Sequence, residues 1–231
     1  MQEARSMVTQ PQTSNEVVYP ESDGKPMADN TKQFRWIVVI EQNLELLFAD
    51  DPNVFVAGDL LWYPVEGNNR LCTAPDAMVA FGRPKGDRGS YLQWREDNIP
   101  PQVVFEILSP GNTAREMSRK LMFYSTYGVE EYYLYDPDRN RLEGWCRSDD
   151  PWLEQIESIE GWISPRLGIR FELGEELNLY RPDGVPFFSF AQLNQMLDQE
   201  RQRAEQEKQR ADDMEALLRQ YRDRFGEIDQ E

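Results

Sequence analysis

Residues 73–81, Thr-Ala-Pro-Asp-Ala-Met-Val-Ala-Phe, and residues 100–108, Pro-Pro-Gln-Val-Val-Phe-Glu-Ile-Leu, decide how the rest of the chain reads. Each is a short apolar run bounded by Pro or Gly, the pattern of a buried strand. Each also carries one carboxylate where such a strand is uniformly apolar: Asp76 ahead of the first run and Glu106 inside the second. An ionised carboxylate in a dry strand costs several kcal/mol unless it is paired or bound to a metal. Two of them in neighbouring runs suggest one shared purpose.

A third group follows on a helix. Ser109-Pro110-Gly111-Asn112 stops the second strand, and Thr113 to Glu116 has the spacing of a capping box. The pattern predicts a helix to about Tyr127, with Gly128 as its C-cap. Its apolar stripe is Met117, Leu121 and Tyr124, and Lys120 falls on the same inward face. A lysine so placed, just beyond the Glu106 strand, is within reach of the cleft that the two carboxylates share.

The sequence around these residues resembles a known family. A Pro-Asp pair is followed after about thirty residues by Glu-Ile-Leu-Ser-Pro. Next comes a helix with Arg119-Lys120 and Tyr124, and then Gly128-Val129-Glu130-Glu131-Tyr132-Tyr133-Leu134-Tyr135-Asp136-Pro137. This order and spacing resemble the Uma-type restriction endonucleases of the PD-(D/E)xK nuclease superfamily, over roughly residues 31–183. The superfamily's usual Glu-x-Lys would put a lysine at position 108, where this chain has Leu108; the resemblance moves that role to Lys120. It implies a restriction-endonuclease-like α/β fold, a mixed central sheet flanked by helices, and hydrolysis of DNA phosphodiester bonds. It further implies that Asp76 and Glu106 bind Mg²⁺ or Mn²⁺, with the Ile107 backbone carbonyl as a further ligand. Lys120 would orient the attacking water. Superfamily members often carry an acid on the first helix near the metal, which brings in Glu41 and Glu45; the alternative for both is a solvated helix face.

Composition limits the chemistry. The chain of 231 residues has no histidine, which removes Ser-His and Cys-His nucleophiles and histidine zinc sites. Carboxylates, Lys, Tyr and a hard metal remain. Cys72 and Cys146 stand apart, as expected in a reducing cytoplasm. No apolar run reaches the ~20 residues of a membrane span, and the first residues lack the apolar stretch of a signal peptide. The formal charge of −17 argues against broad adhesion to DNA, which depends on phosphate neutralisation. Metal ions or a local basic cluster would have to offset it.

The remaining segments suggest three parts. Residues 1–30, rich in Gln, Ser, Pro, Glu and Asp, read as a mobile tail, in which Val17-Val18-Tyr19-Pro20 could dock as a short extended piece. Residues 31–188 form the nuclease-like domain. It opens with a helix over about 31–48, capped by Asp29 or Asn30 and carrying Trp36, Ile37, Ile40, Leu44 and Leu47. Strand segments are expected at 54–56 and 58–65. The loop after the Asp76 strand carries Arg83, Lys85, Arg88 and Arg95, read as phosphate contacts, a lid or a solvated loop. Tyr132, Tyr133 and Tyr135 read as core, and a β-meander through 141–147, 152–159 and 167–173 extends the sheet.

Residues 189–231 are different. Phe190, Leu197, Ala204, Ala211, Leu218 and Phe225 recur every seven residues, with Leu193, Glu200, Glu207, Met214 and Tyr221 at the companion positions. This is a coiled-coil seam with a polar middle, expected to make a homodimer or higher homo-oligomer; the alternative is a solitary charged helix. Two function classes stay open: a metal-dependent DNA endonuclease, and a catalytically silent binding or assembly module on the same fold.

Overall fold

The computed structural model describes residues 17–24 and 26–226. Part of the expected N-terminal tail therefore lies outside the described residues. In chain order the elements are α1 (Thr31–Leu47), β1 (Val54–Ala57), β2 (Trp62–Tyr63), β3 (Ala77–Phe81), β4 (Tyr91–Leu92) and β5 (Val103–Ile107). They are followed by α2 (Ala114–Tyr127), β6 (Glu131–Asp136), β7 (Arg141–Arg147), β8 (Leu153–Gln155), β9 (Arg170–Leu173), β10 (Leu177–Tyr180) and α3 (Phe190–Phe225). The chain divides between Pro186 and Phe187 into two compact units.

The first unit is built on a six-stranded sheet in the order β1-β3-β5-β6-β7-β8. Its pairs are antiparallel except β5–β6, where Val103 to Ile107 run parallel to Glu131 to Tyr135. That parallel step needs a long crossover, and α2 provides it. Both faces of β5 and β6 are covered, and every residue of both strands is buried. Side chains alternate between the faces. Val104, Tyr132 and Leu134 join Met117 and Tyr124 of α2 in one core cluster. On the other face, Phe105 and Tyr133 pack on Phe171, and Trp36 of α1 meets Tyr135 with ring centroids 4.9 Å apart. Burying a large side chain of this kind stabilises the fold by roughly 1.5–3 kcal/mol.

Local signals fix the helix ends. Asn30 caps α1, its side chain accepting the Gln33 N–H at 2.9 Å. Thr113 caps α2 by accepting from the Glu116 N–H, and Gly128 ends it in the left-handed region at φ 98°. Two expectations are corrected. The strand expected at 58–65 shrinks to Trp62–Tyr63, because Asp59 takes a left-handed φ of 49° and turns the chain. β9 and β10 form a separate two-stranded hairpin and do not extend the main sheet. The second unit is α3, whose start is a capping box between Ser189 and Gln192.

Candidate active site

Asp76 stands one residue before β3. Pro75 has no N–H to give, and its carbonyl accepts from the Asp59 N–H at 3.0 Å. The Ile107 N–H is instead taken by Asp76 Oδ2 at 2.6 Å. The carboxylate thus extends the β3–β5 pairing by a side chain and is fixed beside the end of β5.

Glu106 lies on the α2 face of β5. Lys120 and Tyr124, four residues apart on α2, both reach it, since such positions share one helix face. Lys120 Nζ lies 2.7 Å from Glu106 Oε2, and the Tyr124 hydroxyl donates a short hydrogen bond to Oε1. The Glu106 side chain is 4% exposed and that of Lys120 21%, so the pair sits at the inner wall of an opening. That opening is a cavity of about 660 Å³ lined by Asp76, Glu106 and Lys120.

Electrostatics set the character of the cavity. Burial pushes the Asp76 carboxyl well above the ordinary carboxylate range, and the Glu106 charge pushes it further; Lys120 and the Ile107 N–H pull the other way. Burial works against the Lys120 ammonium, but Glu106 and Asp76 outweigh it, and its pKa is raised. Among the described residues six carboxylates line the cavity, Asp23, Asp29, Asp59 and Glu116 besides Asp76 and Glu106, against the cations Arg119 and Lys120. Asp59 is itself raised, by burial first and then by Asp23.

Several of these residues are not evident from the sequence. Tyr124 read there only as core; its hydroxyl proves to be a carboxylate donor, and burial followed by the Glu106 charge raises it well above the usual phenol range. Gln33 of α1 faces the cavity and donates to the Ile107 carbonyl at 2.8 Å. Glu41 and Glu45 are elsewhere, in a separate cavity of about 330 Å³. The Glu41 carboxylate accepts from Gln42 at 2.6 Å, and Glu45 pairs with Lys85 at 2.9 Å. The basic loop is engaged too. Arg88 pairs with Glu96 at 2.7 Å and lies 3.9 Å over the Phe55 ring, and Arg83 pairs with Asp97.

Asp23 and residues 26–29 of the N-terminal segment line the cavity, and residues before them are held on the domain beside it. Tyr19 packs edge-on against Tyr63 and beside Trp94, with centroids 5.2 and 4.9 Å away. Tyr63 donates to the Pro20 carbonyl at 2.8 Å and Asn69 to the Val18 carbonyl at 2.8 Å. Farther along, Ser109 donates to the Asp29 carboxylate.

Among the described residues, no group of three or more Cys, Asp or Glu side chains is arranged to hold a metal ion. Two carboxylates with a nearby carbonyl is nonetheless a donor set that suits Mg²⁺, which commonly takes one or two carboxylates and completes its shell with water and substrate phosphate. The mutual repulsion of Asp76 and Glu106 fits a site with room for a second cation.

A mixed sheet with a parallel β5–β6 step, flanked by α1 and α2, is the α/β architecture expected of a restriction-endonuclease-like fold. A family model described as "Putative restriction endonuclease" (Uma2) matches residues 23–179, and the chain belongs to that family. A solved structure described as "a putative nuclease belonging to DUF820 from Anabaena variabilis" is similar at 17% identity. The match covers 61% of this chain and 74% of that one, with a TM-score of 0.45. No curated protein matches the sequence. Among the described residues no helix is long and apolar enough to cross a membrane.

Proposed function

We propose that this chain is a metal-dependent endonuclease that hydrolyses DNA phosphodiester bonds in the cavity lined by Asp76, Glu106 and Lys120. The observation that carries the reading is the convergence of Lys120 on Glu106 at 2.7 Å, from α2 onto β5. Asp76 is tied to the next residue of the same strand. Asp76 and Glu106, with the Ile107 carbonyl, would hold Mg²⁺ or Mn²⁺. Such a cation, when bound, supplies an acidified water and neutralises phosphate charge. The chain's own contribution is positional. Tyr124 and Lys120 fix both oxygens of Glu106, and the Ile107 N–H fixes Asp76. Lys120, kept charged by its neighbours, orients water and balances charge on the phosphate as the bond breaks.

Nicking of supercoiled plasmid with Mg²⁺ or Mn²⁺ at low salt tests this. The unmodified chain is expected to nick. Lys120→Ala is expected to keep metal binding by calorimetry while losing about 10²–10³ in rate, the usual loss for one electrostatic contact. Lys120→Arg restores little, since a planar guanidinium does not replace a compact ammonium in a tight cleft. Full nicking by Lys120→Ala removes Lys120 from the chemistry.

A second reading, a catalytically silent binding or assembly module, is favoured by one observation. Among the described residues carboxylates outnumber cations in the cavity wall, and Arg83, Lys85 and Arg88 are already paired with carboxylates. No cleavage of plasmid, duplex, branched or single-stranded DNA would decide for it.

A further inference from the structure

Helix α3 runs 36 residues, about 54 Å at 1.5 Å per residue. Its ion pairs are weak supports: Asp198–Arg201, Glu200–Arg203 and Glu215–Arg219 span 3.6 to 3.9 Å and are largely exposed. Its apolar residues sit near the two ends and are exposed, among them Leu197, Met214 and Leu218. A helix this charged, with an apolar stripe at each end, gains most from a partner helix.

We propose that α3 pairs with α3 of a second copy of this chain, antiparallel, in the register that sets Leu197 against Met214. Charge and size along the seam choose that arrangement. A parallel pair in register sets each seam residue against itself, so Glu200 would face Glu200 and Glu207 would face Glu207. Two like-charge contacts would then sit inside the seam. An antiparallel pair sets the two heptad positions against one another instead. In the proposed register Phe190 meets Tyr221, Leu193 meets Leu218 and Leu197 meets Met214. Glu200 and Glu207 then face Ala211 and Ala204, whose small side chains leave a carboxylate room to bend towards solvent. Arg203 and Arg210 flank that polar middle, and Arg203 already pairs with Glu200 at 3.9 Å. Sliding by one heptad in either direction sets Glu200 against Leu218 or Glu207 against Leu197. Of these three registers, the proposed one keeps every large apolar seam residue from Phe190 to Tyr221 away from a carboxylate.

The test is disulfide trapping in the full chain, with Cys72→Ser and Cys146→Ser removing the native thiols. Leu197→Cys and Met214→Cys are made separately, then oxidised alone and as an equimolar mixture. The proposal expects covalent dimers from the mixture and none from either variant alone. It also expects light scattering of the unmodified chain to show a mass that rises with concentration towards twice the monomer. Covalent dimers from Leu197→Cys alone would mean a parallel pair and overturn the orientation. A monomer mass at every concentration, with no cross-link from the mixture, would overturn self-pairing and leave α3 alone or to another partner.

Discussion

Asp76 and Glu106 break the apolar pattern of their strands, and that violation is what makes them visible in the sequence. The same violation occurs at Glu131, which is buried at the start of β6 and serves a different end. Glu131 accepts from the Tyr133 hydroxyl at 2.8 Å, from the Ser164 hydroxyl and from the Arg166 N–H at 2.6 Å. It pins a turn. A buried carboxylate marks a demand for partners, and only the tertiary fold shows whether those partners are satisfied neutral donors or a cavity. Gln33, Asp59 and Tyr124 are illegible for the same reason, because their roles depend on what the fold brings opposite them. The state of Asp76 gives a testable pH dependence. Burial and Glu106 raise its folded pKa, so the folded chain holds that proton more tightly than the unfolded chain, whose carboxyl titrates near 3.9. Stability tied to the proton is present below the unfolded value and is lost as pH climbs through the raised one. Asp76→Asn keeps an acceptor for the Ile107 N–H and drops the charge. Without divalent cation it should melt higher than the parent at neutral pH, with the gap closing in acid. Asp76→Ala orphans that N–H and should forfeit about 1–3 kcal/mol of the gain. Thermal melts from acid to neutral pH check both, and a gap independent of pH would show that the charge is not the cause.

At the scale of elements, α2 was the most legible piece, since its cap, its stripe and its terminal glycine all lie within one stretch of chain. The short extent of β2 is not legible because a left-handed aspartate gives little warning in sequence, nor is the placement of β9, because strand pattern does not say which sheet a strand joins. Gly128 gives the element its sharpest test. Its φ of 98° suits glycine, and a Cβ there would lie 3.0 Å from Pro100 Cγ. Gly128→Ala should lower the urea midpoint by an amount worth about 1–2 kcal/mol, the cost of a left-handed residue with a side chain. An unchanged midpoint would mean that the turn relaxes freely, and that the α2 terminus does not fix the position of Lys120.

For the molecule as a whole, charge dominates. A net −17 repels itself, and salt screens that repulsion. Raising NaCl from about 20 to about 200 mM should raise the melting temperature and, in the same range, slow DNA cleavage, because phosphate contacts weaken with salt. Parallel measurements by calorimetry and plasmid nicking check the opposed signs; a melting temperature that falls with salt would mean that attractive pairs outweigh the net charge. The α/β class and the long terminal helix were readable from periodicity. The strand order was not, because it rests on which distant segments pair. Contacts that hold residues 17–24 and 26–30 cross gaps of 43, 48, 51 and 80 residues, reaching Tyr63, Gly67, Asn69 and Ser109. Loops of that length close late, since their entropy is lost before the contact is gained. During synthesis this segment leaves the ribosome before any of those anchors exists; Tyr63, Gly67 and Asn69 follow first, and the Ser109 contact to Asp29 waits until β5 and the turn after it have been made. With mostly exposed residues to hold it afterwards, it belongs to the part of the molecule that is last to assemble and first to open.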